Sequence, residues 1–417
     1  MKLCVSRSEL RGVCAAPPSK SHTHRAYMLA AMAAGTSKIS SPLFGADTDA
    51  TLAAVEALGA KVTRAGDDVF ITGGNLHAAD GVIDCKNSGS SMRMLAGIAA
   101  RLPGTTAFTG DASLCGRPMK PLLDALAELG ARVESAGGCA PFSVTGPVAG
   151  ATVHISGGIS SQFISALLLG APLSPSGLRL HLTEHLASRP YAVMTAAAMQ
   201  AHGVIAEETP DGFFVPAGQS YRPADAAVSG DYSSAAFLLA GAAISGRVTV
   251  TGLEPADAQG DKEILSILAR FGAQVSRDGG AVTVEKAALS GVDLDMEKAP
   301  DLFPITAVLA ACAKGTSRLF GARHLAFKES NRIVSTAAML HALGADISAE
   351  DDGCTVRGGR PLTGVPIITA GDHRIAMAGA IAGLAASGTT EIDDISCAAV
   401  SYPGFVRDLK SLGATIL

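Results

Sequence analysis

Tryptophan is absent from the 417 residues, and aromatic side chains make up only 4% of the chain. Large rings therefore cannot dominate the interior. The 47 glycines and the 48% hydrophobic content point instead to small residues packed at close contacts between elements. A basic excess is also missing: 33 Lys and Arg face 38 Asp and Glu, for a formal net charge of −5. A general nucleic-acid binder would carry a positive surplus or stripe, so nucleic acid is set aside as a partner. Small anions are not excluded, because they need only a local cluster of cations. No apolar run reaches the roughly 20 residues of a membrane span. The runs at 163–172 and 302–313 read as buried helices, and no membrane partner is expected. The opening residues, Met1 to Glu9, lack the apolar centre of a secretory leader. The eight cysteines include no Cys-x-x-Cys pair and no zinc spacing with histidine. A reduced, cytoplasmic protein without a metal site is the expectation.

What is present is a repeat. Leu58-Gly59-Ala60, Leu129-Gly130-Ala131, His202-Gly203-Val204, Phe271-Gly272-Ala273, Leu343-Gly344-Ala345 and Leu412-Gly413-Ala414 recur with glycine intervals of 69 to 73 residues, by subtraction of those positions. Each glycine follows an apolar helical stripe, such as Leu122, Leu126 and Leu129, where a helix end wants a left-handed residue. Short alternating segments follow, with Asp278-Gly279-Gly280 and Glu350-Asp351-Asp352-Gly353 as hairpin turns. Each copy reads as strand, helix, strand, helix, hairpin. The chain is long enough for two or three domains.

Between 39 and 43 residues before each glycine stands a polar cluster that opens an apolar helix. The clusters contain Lys20, Gly89, Ser161, Asp231, Asp301 and His373. Each taken alone is an ordinary N-cap, and Asp301 reads that way too. Together, helix N-termini offer N–H groups and a positive dipole end to anions. Basic residues stand beside them at equivalent places: Lys20 and Arg25, Arg93, Arg117 and Arg189 before prolines, Lys328 and Arg332 around Glu329, and Arg374 after His373. The proline after Arg117 reads as the first turn of a helix that Arg117 opens, and Arg189 is read the same way. Guanidinium forks suit carboxylate and phosphate oxygens.

These segments, in order and spread over the whole chain, resemble the EPSP synthase family of enolpyruvyl transferases. Lys20-Ser21 with Arg25 is similar to its Lys-Ser-x-x-x-Arg start, and Asn87-Ser88-Gly89-Ser90-Ser91-Met92-Arg93 to its Asn-Ala-Gly-Thr-x-x-Arg segment. Arg117-Pro118, Ser160-Ser161-Gln162 and Asp372-His373-Arg374 match further family motifs, and Ser188-Arg189-Pro190-Tyr191 and Lys328-Glu329-Ser330-Asn331-Arg332 resemble its Ser-Lys-Pro-Tyr and Lys-Glu-[Ser/Thr]-Asp-Arg. The resemblance implies an α/β (α+β) fold of two similar domains, each of three βαβαββ units, arranged as an inside-out barrel. The expected domains are 1–18 with 229–417, and 19–228, with hinges near 17–20 and 229–231 and a ligand cleft between them.

The implied reaction adds the 5-hydroxyl of shikimate 3-phosphate to C2 of phosphoenolpyruvate and then eliminates phosphate. No cofactor or metal is implied, and a monomer is expected. Carried over by motif, Lys20, Ser21, Arg25, Ser160, Ser161, Gln162, Ser188, Asp301, His324 and Lys328 would bind shikimate 3-phosphate. Lys20, Gly89, Arg117, Gln162, Arg332 and Arg374 would bind phosphoenolpyruvate. Asp301 would be the base, Glu329 the acid toward C3, and Lys20, Lys328 and His373 would support them.

Four positions depart from the family pattern. Val400 replaces a lysine expected to touch phosphoenolpyruvate, removing a charge-assisted hydrogen bond worth about 1.5–3 kcal/mol; Arg93 or Lys120 are the cations available to replace it. Asn331 replaces an acid and is expected to loosen Arg332. His324 replaces an asparagine, with a solvated loop histidine as the other reading, and Ala326 replaces an arginine. Two alternatives stand beside this reading: a weakly active or non-catalytic relative, and the sister transferase that acts on UDP-N-acetylglucosamine. The start of the sister enzyme has Lys-Asn where this chain has Lys20-Ser21, and the spacing of Cys115 does not fit its reactive cysteine.

Overall fold

The structure, a computed structural model, describes all 417 residues. The six repeats appear as six four-stranded sheets with one shared strand order. In the sheet of Val82–Asp84, Gly104–Thr109, Arg132–Ser135 and Phe142–Gly146, the first two strands pair in parallel. The second pairs antiparallel with the fourth, and the fourth closes a hairpin with the third. The hairpins turn where the sequence places them, with Gly279 and Gly280 joining Gln274–Asp278 to Ala281–Glu285.

Three sheets borrow a strand from a distant part of the chain. Ala226–Ala227 pairs in parallel with Gly35–Ser40, and Arg11–Ala15 with Arg247–Thr251. Leu3–Ser6 takes the fourth place in the sheet of the last repeat, antiparallel to both Thr389–Ile392 and Thr415–Ile416. The N-terminal segment thus supplies strands to two sheets rather than one. The chain divides into two compact units, Met1–Pro17 with Ser229–Leu417 (the first domain) and Pro18–Val228 (the second domain).

In the second domain the helices are α1 (Lys20–Met32), α2 (Ala46–Ala57), α3 (Gly89–Ala99), the one-turn α4 (Ala112–Cys115), α5 (Lys120–Glu128), α6 (Ser161–Gly170) and α7 (Arg189–Ala201). In the first they are α8 (Tyr232–Ser245), α9 (Ile264–Phe271), α10 (Phe303–Cys312), α11 (Arg332–Ala342), α12 (His373–Gly383) and α13 (Phe405–Ser411). The first long helix of each repeat is largely buried, as in α8, where every residue is buried. The second helix is amphipathic: in α9, Ile264, Leu265, Ile267, Leu268 and Phe271 face inward. Each domain closes around its own apolar core. A fully buried Leu or Phe there contributes roughly 1.5–3 kcal/mol relative to exposure.

Small residues set how closely the inner helices approach. A Cβ placed on Gly97 of α3 would lie 2.2 Å from the Ala166 carbonyl oxygen of α6, and one on Gly170 would lie 2.4 Å from that of Gly97. The repeat glycines all hold φ between +82° and +104°, the left-handed turn that ends each second helix.

Candidate active site

Five of the six polar clusters are helix caps. Ser19, Ser88, Ser160, Asp231 and Asp372 accept backbone N–H groups in the first turns of α1, α3, α6, α8 and α12. The sixth departs: Asp301 lies in the 3-10 turn Pro300–Leu302 and caps nothing, so its carboxylate serves the ion cluster described below.

In the second domain, Lys20 donates from Nζ to Asp47 Oδ2 at 2.9 Å, with both side chains largely buried. Arg25 is buried and donates to Thr195 Oγ1 (2.8 Å), Ser21 O (2.9 Å), Tyr191 O (3.0 Å) and Ser165 Oγ (3.4 Å). All four are neutral oxygens, and burial lowers the guanidinium pKa to about 10. A buried cation without a carboxylate attracts a phosphate or carboxylate from solution.

A second group gathers at the start of α3. Arg93 Nη1 donates to Gln162 Oε1 at 2.8 Å, and Gln162 Nε2 to Ser90 Oγ at 2.9 Å. Arg117 Nη2 donates to Asn87 Oδ1 at 2.7 Å and to Ser113 Oγ at 3.1 Å. Gly89 stands among them: a Cβ there would meet Arg117 and Arg93 Nη1 at 3.5 Å and Gln162 Oε1 at 3.7 Å, which is ordinary contact. Its backbone is helical, so the fold does not require glycine at this position. The missing side chain leaves open the space that these three polar groups face. Ser160 and Ser161 open α6 beside Gln162, and Ser188 precedes α7 at φ 55°, a strain of roughly 1–3 kcal/mol for a non-glycine residue.

In the first domain the candidates converge on Arg332. Its Nε donates to Asp372 Oδ2 at 2.9 Å, its Nη1 to Asp301 Oδ1 at 2.6 Å and its Nη2 to Glu329. Arg374 Nη2 donates to the other Asp301 oxygen at 3.1 Å, and Lys328 Nζ lies 3.9 Å from Asp301 Oδ1. Arg332 is only 1% exposed, whereas Asp301, Glu329 and Lys328 retain 20%, 17% and 26%. The guanidinium is sealed from solvent, while Asp301, Glu329 and Lys328 keep partial exposure. Burial alone would raise the Asp301 pKa, but the attraction of Arg374, Lys328 and Arg332 overrides it and holds the carboxyl well below the usual range. His373 is buried, with Nδ1 3.9 Å from Asp372 Oδ1. His324 is buried as well, and burial followed by Lys328 lowers its pKa to about 4.

Several expectations are corrected. Arg117 does not open a helix; it lies in the link between α4 and α5. Arg189 does begin α7, but its charge is spent on an exposed pair with Glu208. Lys120 is likewise bound to Asp124 on the surface, which leaves Arg93 as the buried one of the two candidate replacements, beside Gly89. Asn331 does not loosen Arg332: it caps α11 by accepting the Val334 N–H, while Arg332 is held by three carboxylates. His324 is not a solvated loop histidine.

Sequence reading missed Asp47, Asp372 as an anchor, and Asp261. Asp261 is fully buried and accepts a hydrogen bond from Ser233 Oγ. Burial and the nearby Asp301 charge raise its pKa. The available signals were an acid in the first turn of a second helix, for Asp47, and hydroxyls such as Ser165 inside an apolar run.

Sheets wrapped around buried helices, with helix starts that carry cations, define an enolpyruvyl transferase fold. The structure of the enolpyruvyl transferase NikO from Streptomyces tendae shares that fold, with a TM-score of 0.80 at 19% identity over 100% of this chain and 98% of its own. More narrowly, this chain belongs to the EPSP synthase (3-phosphoshikimate 1-carboxyvinyltransferase) family, whose profile matches residues 5–409. A 3-phosphoshikimate 1-carboxyvinyltransferase from Methanocorpusculum labreanum is 61% identical over 99% of both chains, and one from Halobacterium salinarum is 44% identical over 99% of both. An EPSP synthase structure from Acinetobacter baumannii aligns with a TM-score of 0.84 at 29% identity, covering 100% of this chain and 99% of its own. No helix of this chain is long and apolar enough to cross a membrane.

Proposed function

We propose that this chain transfers the enolpyruvyl group of phosphoenolpyruvate to the 5-hydroxyl of shikimate 3-phosphate, giving 5-enolpyruvylshikimate 3-phosphate and phosphate, as a cytoplasmic monomer. The observation that carries this reading is the Asp301 carboxylate held between the Arg332 and Arg374 guanidiniums, with Lys328 and Glu329 beside it. Asp301 takes the proton of the 5-hydroxyl as its oxygen bonds to C2 of phosphoenolpyruvate, and Glu329 delivers a proton to C3. In the second half, the C–O bond to phosphate breaks as C3 returns a proton to the Glu329 carboxylate, which restores the double bond, and the proton held by Asp301 leaves with phosphate. The cations that hold Asp301 ionised also weaken it as a base. Anionic substrates drawn to Arg374 and Lys328 offset that attraction, so Asp301 gains proton affinity once the site is filled.

The second domain contributes cationic binding. Within this domain Lys20, Arg25, Ser21, Ser160, Ser161, Gln162 and Ser188 are the groups for shikimate 3-phosphate, and Lys20, Gly89, Arg117 and Gln162 those for phosphoenolpyruvate; within the first domain Arg332 and Arg374 are the cations for phosphoenolpyruvate. A coupled phosphate-release assay tests the reading. Release should require both substrates together. Binding of shikimate 3-phosphate without turnover would mark a non-catalytic relative, and turnover with UDP-N-acetylglucosamine would mark the sister activity.

A further inference from the structure

A buried polar chain in the second domain has no part in the roles above. It begins at His24 on α1, which is fully buried. His24 Nδ1 lies 2.7 Å from Thr51 Oγ1 on α2, and that oxygen lies 2.6 Å from Ser91 Oγ on α3. Ser91 Oγ lies 2.6 Å from Ser88 Oγ and donates to the Asp47 carbonyl at 3.2 Å. Asp47 is the residue whose carboxylate receives Lys20 Nζ. The chain therefore ties together the first two turns of the three helices that carry Lys20, Asp47 and Gly89.

Counting hydrogens gives the chain a direction. The Asp47 carbonyl can only accept, so it takes the Ser91 hydroxyl hydrogen; the 3.4 Å approach of Thr51 to the same carbonyl is the poorer geometry. The Ser91 oxygen then accepts from Thr51 and from Ser88, whose own oxygen still caps the Ser91 N–H. Having given its hydrogen away, Thr51 must accept from His24, which puts the imidazole proton on Nδ1. His24 Nε2 is buried and has no partner. As the bare nitrogen it leaves only a lone pair unmet, which is less costly than an unmet N–H. Burial, and then the charges of Lys20 and Arg25, keep the ring neutral.

We propose that His24 is a positioning residue for Lys20: as an Nδ1–H donor it locks the starts of α1, α2 and α3 in one register and so fixes the cation that meets the substrates. His24 itself touches no substrate, and the inference rests on the function proposed above. Asparagine places an amide N–H where His24 Nδ1 stands, leucine places none, and Thr51→Val removes the acceptor while keeping the shape.

Steady-state kinetics on the full chain test this. A misplacement near 1 Å at a catalytic group costs about a hundredfold. His24→Leu should lower kcat/KM for phosphoenolpyruvate by about 10–100-fold on that scale, while His24→Asn stays within about threefold of the native chain. Thr51→Val should match His24→Leu, and the double variant should be no worse than either single one. A His24→Leu enzyme with a lower melting temperature but native kcat/KM at 25 °C would overturn the inference, as would His24→Asn as impaired as His24→Leu. Should His24→Leu fail to fold, a fully active Thr51→Val enzyme would overturn it equally. A native chain that releases no phosphate with both substrates would sink the functional reading first, before any variant is compared, and this inference with it.

Discussion

Arg332 Nε and Asp372 Oδ2 lie 2.9 Å apart, with 1% and 0% of their side chains exposed. Asp372 also accepts the Arg374 N–H at the start of α12 and the Ser330 hydroxyl. One carboxylate therefore caps a helix and fixes the guanidinium that holds Asp301 and Glu329. Removing it strips the α12 cap, worth about 0.5–2 kcal/mol, and a charge-assisted bond to Arg332, worth about 1.5–3 kcal/mol, while Asp301 and Glu329 still neutralise the guanidinium. Asp372→Ala should lower unfolding free energy by that order, read by urea denaturation, and should also abolish measurable phosphate release. A stable, active Asp372→Ala enzyme would show that Arg332 does not depend on this anchor.

Asp301→Asn keeps the shape of the side chain and removes its basicity. General-base catalysis typically contributes 10²–10⁴-fold, so kcat should fall by about that factor. Shikimate 3-phosphate binding, measured by titration calorimetry, should persist, because Lys20 and Arg25 are untouched. Loss of binding with unchanged kcat would assign Asp301 to substrate holding alone.

Much of this was legible in the sequence. The six repeat glycines and the polar clusters gave the repeat, the hairpins and five of the six caps, because helix starts and stops are local events written in neighbouring residues. Strand exchange was only partly legible. Arg11–Ala15 and Leu3–Ser6 join different sheets, and the choice is decided by partners more than 200 residues away. The anchoring acids Asp47 and Asp261 were missed for a similar reason: each finds its partner, Lys20 or Ser233, 27 or 28 residues away through packing of separate elements. Arg189 and Arg332 look alike in sequence, yet one is spent on the surface and the other is buried under three carboxylates.

Gly89→Ala should separate folding from binding. The added methyl meets its neighbours at 3.5 Å or more and sits in helical backbone, so stability should change by less than about 1 kcal/mol, within the range of mild substitutions. The same methyl occupies space faced by Arg93, Arg117 and Gln162, so the KM for phosphoenolpyruvate should rise at least several-fold. Unchanged KM would mean that the substrate does not approach Gly89.

Val400 lies in the 3-10 turn Ser396–Val400, half-buried and without a charge. Val400→Lys should lower the KM for phosphoenolpyruvate, by roughly ten- to a hundredfold for a charge-assisted bond. An unchanged value would show that Arg93 already fills the role.

His24 is neutral in the fold, whereas in the unfolded chain it takes up a proton below its ordinary pKa near 6.5. The unfolded state then binds more protons than the native one below that pH, so stability is lost as pH falls from about 6.5. By urea denaturation, His24→Asn should gain on the native chain between pH 7 and pH 5, by up to about 2 kcal/mol. His202 and His324, also held below their ordinary values by burial, contribute equally to both proteins and drop out of the difference. Parallel pH dependences would mean that folding leaves the pKa of His24 unchanged.

The most direct measurement follows the bond changes themselves. Phosphoenolpyruvate and shikimate 3-phosphate are mixed with the purified chain in D₂O and observed by proton and phosphorus NMR. The expected result is inorganic phosphate appearing in step with the vinyl signals of a new enol ether, with deuterium entering C3. Phosphate without an enol ether, or two substrates left intact, would contradict the account.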